Sequence, residues 1–131
     1  MIHSNPLPDL HQLRKQCGQK GEAIALTHLR EKGYSIIKTN VHSRYGEIDI
    51  VAMKNGIMHM CEVKTRTNVT FGTPEEAVNW KKLQKLKKTI QCYQQQFGYA
   101  RWQLDVIAIY LAPSPSFRLV RLTHYKNIPL P

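Results

Sequence analysis

The sequence predicts an α/β domain built on a mixed sheet, and three observations carry that reading. Asn55-Gly56 separates two strand-like runs; this is the strongest short-range hairpin signal, because a type I′ turn needs positive φ at both positions. Apolar residues recur at helical spacing before the hairpin and again after it. The strand that follows the second helix must return by a crossover, so it is expected to join the sheet parallel to an earlier strand. The order is helix, three strands, helix, two strands.

Taken in order, residues 1–7 read as a loose tail. From about 8 to 32, Leu10, Leu13, Cys17, Gly21, Ile24, Ala25, His28 and Leu29 share helical spacing, and Gly33 is a natural stop. Gly18 and Gly21 weaken that helix locally, so a break or a close backbone contact is expected near them. A first strand follows at 34–40, then a polar loop through Ser43 and Arg44, then the hairpin strands at 47–54 and 57–67. Thr73-Pro74-Glu75-Glu76 reads as a helix start, with Thr73 as N-cap, Pro74 in the first helical position and Glu76 closing a capping box. That helix is expected to reach Gln96 or Phe97 and stop at Gly98. Leu83, Leu86, Ile90, Tyr93 and Phe97 form its apolar stripe, with Lys81, Lys85 and Lys88 opposite. Strands at 103–111 and 117–123 flank a Pro113-Ser114-Pro115 turn, and residues 125–131 read as a second loose tail.

A chain of 131 residues is expected to form one domain, 1–131, with one core. Nineteen Lys and Arg against nine Asp and Glu leave a net charge of +10. Such an excess on a small domain points to a polyanionic partner, most commonly nucleic acid. An anionic membrane surface fits less well, because the basic residues are spread along the chain; a merely soluble basic protein is the plain alternative. Cys17, Cys61 and Cys92 lack metal-ligand spacing and read as reduced, mostly buried thiols. The N-terminus carries Pro6, Pro8 and Asp9 where a signal peptide would have a basic start and an apolar run, and no apolar stretch approaches the ~20 residues that span a bilayer. The expected location is the cytoplasm.

The chemistry concentrates on the hairpin. A two-residue loop at 55–56 makes paired positions sum to 111, so Asp49 faces Glu62 and Glu47 faces Lys64. Alternation then puts all four on one face, with Val51, Met53, Met58 and Met60, while Ile48, Ile50, Ala52, Cys61 and Val63 line the other. Opposed carboxylates, ~4.5–5.5 Å apart at Cβ, repel unless a cation lies between them. The simplest such cation for hard oxygen ligands is Mg²⁺, and a neighbouring lysine gives the cluster a catalytic look. A Glu-x-Lys on a strand is otherwise an ordinary surface feature, and Glu47–Lys64 could be a plain ion pair. Glu22 shares a helix stripe with Ala25, Leu26 and Leu29, which directs it either toward the sheet or to solvent. The six histidines form no ligand set, and His59 reads as a packed residue. Trp80, Trp102, Tyr45 and Tyr99 could stack on bases but sit at element boundaries, where aromatics also serve packing.

Gly18-x-x-Gly21-Glu22-x-x-Ala25, Tyr34-x-Ile36-Ile37-x-x-Asn40, Arg44-x-Gly46-Glu47-Ile48-Asp49, Glu62-Val63-Lys64-x-Arg66 and Phe71-Gly72 together resemble the YraN-type family of small bacterial proteins. That family is grouped with the restriction-endonuclease-like PD-(D/E)xK nucleases and is similar in layout to archaeal Holliday-junction resolvases. The resemblance spans roughly residues 15–110. It implies a restriction-endonuclease-like αβββαβ core, a mixed sheet flanked by helices. It also implies Asp49 and Glu62 as metal-ligand acids, Val63 as a backbone-carbonyl ligand, Lys64 as catalytic lysine and Glu22 as the helix acid of the resolvase-like branch. Where that family has an Arg two residues before the Asp of its late strand, this chain has Gln103, with Arg101 two residues earlier.

The function expected from these residues is Mg²⁺-dependent (or Mn²⁺-dependent) hydrolysis of phosphodiester bonds in DNA, branched or damaged DNA among the candidates. Arg44 and Arg66 near the strand ends, and Lys81, Lys82, Lys85 and Lys88 on the helix, would hold flanking phosphates without reading sequence. Cutting a junction would call for a symmetric homodimer. Two rival readings keep the fold without the chemistry: a nucleic-acid-binding accessory protein that does not cut, and an interaction module whose charged face binds an acidic protein.

Overall fold

The computed structural model describes residues 9–67, 73–98 and 101–131. The expected tail at 1–7, Phe71, Gly72 and Tyr99 lie outside the described residues. Helix α1 (Leu10–Glu31) starts at Asp9, whose carboxylate accepts from the Gln12 N–H at 2.8 Å while Gln12 reaches back to the Asp9 N–H. Gly18 and Gly21 do not break it. A Cβ at Gly21 would collide with the Thr65 side chain, so that glycine lets the helix backbone approach the sheet. Strands β1 (Ser35–Ser43), β2 (Gly46–Lys54) and β3 (Ile57–Arg66) follow, then α2 (Trp80–Phe97), β4 (Trp102–Leu111) and β5 (Leu119–Tyr125).

The sheet order is β1-β2-β3-β4-β5. Only β3 and β4 run parallel, joined by the crossover through α2 as the connection rule requires. Asn55 (φ 52°) and Gly56 (φ 75°) form the expected left-handed turn, and the β2–β3 register sums to 111 from Lys54↔Ile57 to Ile50↔Cys61. One apolar layer lies under α1, where Cys17, Ala25 and Leu29 meet Ile50, Ala52, Cys61 and Ile107. The other lies under α2, where Leu86, Ile90 and Tyr93 meet Val51, Met60 and Leu104. Being covered on both faces, β4 is buried almost throughout. All three cysteines are free, Cys17 and Cys61 buried and Cys92 half-buried. No helix among the described residues is long and apolar enough to cross a membrane.

Two expectations about segments are corrected. The second helix starts at Trp80, not Pro74. The Thr73–Glu76 capping box forms, but it caps a single 3₁₀ turn, Glu75–Ala77, after which Val78 is extended and Asn79 caps a fresh helix through the Lys82 N–H at 3.0 Å. A β-branched residue followed by a strong N-cap residue outweighs the earlier start signal. The C-terminal segment is not loose either. The Ile128 N–H donates to the Leu104 carbonyl at 2.7 Å, Lys87 donates to the Pro131 carbonyl at 2.6 Å, and Ile128 and Leu130 pack into the α2-side layer.

Candidate active site

The β2–β3 ladder stops at Ile50↔Cys61, one pair short of the acids. Beyond it β2 stays with β1 through Val41↔Ile48 and His42↔Glu47, while β3 stays with β4 from Glu62↔Val106 onward. The sheet forks there. Asn40 of β1, opposite this point, has left-handed backbone at φ 52°, while the register shift of β1 lies earlier, between Ile36 and Lys38. Ile48 consequently packs in the α2-side layer, while Ile50 and Ala52 stay under α1, so the simple alternation expected along β2 breaks at Asp49.

Asp49 fills the fork. Its Oδ2 accepts the Val63 N–H at 2.8 Å, replacing the backbone acceptor that a continued ladder would have supplied. A strand residue points its N–H and C=O to the same side, so the Val63 carbonyl also opens toward this gap. Glu62, only 2 % exposed, is held by two ammonium groups, Lys64 at 3.0 Å and Lys82 of α2 at 3.2 Å, both on Oε1. Burial, reinforced by the Glu62 charge and only partly offset by the Val63 N–H, raises the Asp49 carboxyl from 3.8 to about 7. Two carboxyls in one poorly solvated corner thus compete for positive charge.

The expected facing of Glu47 and Lys64 is corrected. Glu47 pairs with His42 at 3.2 Å, its direct cross-strand neighbour on β1, and Lys64 turns to Glu62. The fork separates Glu47 from β3, and the cluster is two acids with the ammonium groups of Lys64 and Lys82. Glu22, half-buried on α1, lines a cavity that Asp49, Val63, Lys64 and Arg66 also line. Of the expected phosphate contacts, Arg44 and Lys88 lie over the Tyr45 ring at 4.9 and 5.4 Å, brought together because Ser43 donates to Thr89 of α2 at 3.2 Å. Lys81 and Lys85 are exposed on the same helix, whereas Lys82 is spent on Glu62. Trp80 is 64 % exposed and Trp102 half-buried.

The donor set suits a hard divalent ion: two carboxylates and a backbone carbonyl, all oxygen, with the Asp49 acid left short of positive charge. Among the described residues, no three His, Cys, Asp or Glu side chains converge as a ready metal cage. Mg²⁺ keeps several waters and needs few protein ligands, so two acids remain compatible with it.

A second polar centre escaped the sequence reading. Asp105 on β4, fully buried, accepts from His59 at 2.7 Å, His124 at 2.8 Å, Gln103 at 2.9 Å and the Asn127 N–H at 3.0 Å. His124 meets His28 at 3.1 Å, and Tyr34 packs edge-on against His59. Burial opposes ionisation of Asp105, but these hydrogen bonds prevail and hold it at about 2. His59 is packed, as expected, but as one arm of this hub. An aspartate inside the apolar run of β4 was the available signal, because a lone acid on a strand buried on both faces demands partners.

A mixed five-stranded sheet between two helices is an α/β architecture consistent with a restriction-endonuclease-like core. The model of the uncharacterised protein family UPF0102 matches residues 21–109, and the chain belongs to that family, the YraN-type family named above. A UPF0102 protein of Caldanaerobacter subterraneus subsp. tengcongensis is 39% identical over 116 residues, covering 87% of this chain and 94% of the relative. Those of Alkaliphilus oremlandii (42% over 119 residues, 88% and 98% covered) and Carboxydothermus hydrogenoformans (40% over 117 residues, 88% and 96% covered) are similar along nearly their whole length.

Proposed function

We propose that the protein is a metal-dependent nuclease that hydrolyses phosphodiester bonds in DNA, branched or damaged forms included. The observation that carries this is the juxtaposition at the fork: Asp49 raised to about 7 beside a buried Glu62 that already gathers Lys64. A merely structural ion pair would leave Asp49 out. Asp49, Glu62 and the Val63 carbonyl are the groups that would hold Mg²⁺ or Mn²⁺. Once bound, such an ion neutralises phosphate charge and lowers the pKa of a water. Lys64, beside Glu62, orients the attacking water or offsets charge growing on the phosphate. Glu22 lines the cavity that Asp49 and Lys64 line and can hold a proton or a water there. Arg44, Arg66, Lys81, Lys85 and Lys88 would bind flanking phosphates, which gives affinity without base reading and a strong salt dependence.

The test is cleavage of linear, circular and four-way-junction DNA with Mg²⁺ or Mn²⁺ by wild type, Asp49→Ala and Lys64→Ala. Cutting by wild type, with a loss of at least ~100-fold in both variants, is expected. Equal cutting by all three would expose a contaminant and sink the assignment. A second reading, a DNA-binding accessory protein that does not cut, has its own support: Lys64 and Lys82 together balance Glu62 without any metal. Binding in chelator with no cutting of any substrate would select it.

A further inference from the structure

The cavity beside Asp49 offers more than a metal site needs. It measures about 960 Å³, near the top of the roughly 300–1,000 Å³ typical of small-ligand pockets. Leu10, Leu13 and Phe117 give it apolar wall, and Lys15 and Arg66 bring cations to it. Gly18 lines it as well, and the two glycines of α1 differ. A Cβ at Gly21 would strike Thr65, so close packing accounts for that glycine; a Cβ at Gly18 meets nothing among the described residues within 4 Å. Glycine inside a helix is destabilising relative to alanine. At Gly18 no contact among the described residues accounts for that cost, and the wall of the recess is open there.

Paired DNA held through its phosphates needs only a basic surface. It cannot use a recess walled by leucine and phenylalanine, because its bases are stacked inside the duplex. An unpaired nucleotide can: its base lies against the apolar wall while its phosphates meet the cations. We propose that this cavity seats an unpaired nucleotide next to the phosphate at Asp49, so that the substrate class is DNA with single-stranded or frayed nucleotides. The position of that phosphate rests on the nuclease reading above; the recess itself does not. Asp49 forms part of the cavity wall, so a phosphodiester bound there delivers its neighbouring nucleoside into the recess.

The experiment is fluorescence anisotropy in EDTA with one labelled 20-mer offered as a single strand, a fork with splayed ends and a blunt duplex. Wild type is expected to bind the strand and the fork at least ~10-fold more tightly than the duplex. Gly18→Leu fills the recess from a position with room, and Leu13→Trp does so from another point on the same helix. Both should abolish the preference while leaving duplex binding and the urea midpoint near wild type, whereas Gly18→Ala should keep it. Equal wild-type affinity for all three forms, or a preference that survives in both filling variants, overturns the proposal. Cleavage is scored separately with Mg²⁺. A preference without cutting supports the cavity assignment and sinks the nuclease reading; cutting without a preference does the reverse.

Discussion

Replacing Asp49 by asparagine keeps its size and its acceptor for the Val63 N–H, and removes only the charge. In the folded protein burial and Glu62 raise this carboxyl from 3.8 to about 7. The sign follows from linkage. Below about pH 4 the group is protonated whether the chain is folded or not, and it costs nothing. Between pH 4 and 7 the unfolded chain releases the proton while the folded one retains it, so wild type loses stability as pH rises. Above about pH 7 the loss is complete. At about 1.36 kcal/mol per tenfold change in proton affinity, the full loss is about 4 kcal/mol; the solvent that still reaches the carboxyl trims it to about 2–4 kcal/mol. Urea unfolding in chelator at pH 4.5 and pH 8 reads it directly. Asp49→Asn should gain on the order of 1–2 M in midpoint at pH 8 and much less at pH 4.5. Adding Mg²⁺ at pH 8 should then stabilise wild type and not the variant. A variant less stable than wild type at pH 8, or an equal gain at both pH values, would refute the reasoning that the acid lacks a cation.

Lys82→Met should remove one of the two ammonium groups on Glu62 and raise Mg²⁺ or Mn²⁺ affinity several-fold by titration calorimetry, while Lys85→Met, exposed on the same helix, should not. Asp105→Asn should destabilise by about 2–4 kcal/mol, since the neutral amide cannot serve every donor that now converges on the carboxylate; thermal unfolding checks it. The Asp105 contribution in wild type is present above about pH 4 and fades as pH falls toward 2. Gly21→Ala should cost about 1–3 kcal/mol because its methyl meets Thr65, while Gly18→Ala should be neutral or stabilising, both read from urea midpoints.

Element order, the type I′ turn, the parallel crossover and the hairpin register near the turn were all legible locally, because backbone chemistry and period-two or helical spacing decide them within a few residues. The nearness of Asp49 and Glu62 was legible too, because the register anchored at Asn55-Gly56 holds the two strands together as far as Ile50↔Cys61, one pair short of the acids. What the ladder does beyond Ile50 was not. The fork depends on β1 claiming one strand and β4 the other, and no stretch of the hairpin encodes that choice. Glu47 therefore goes to His42, Lys82 reaches Glu62 from a helix some twenty residues on, and Asp105 collects donors from β3, β4, β5 and the chain beyond. Local sequence determined which residues become strand or helix and which share a strand. Only tertiary structure decided which charges meet, because burial and long-range partners set electrostatic outcomes, and both exist only once the sheet has closed around them.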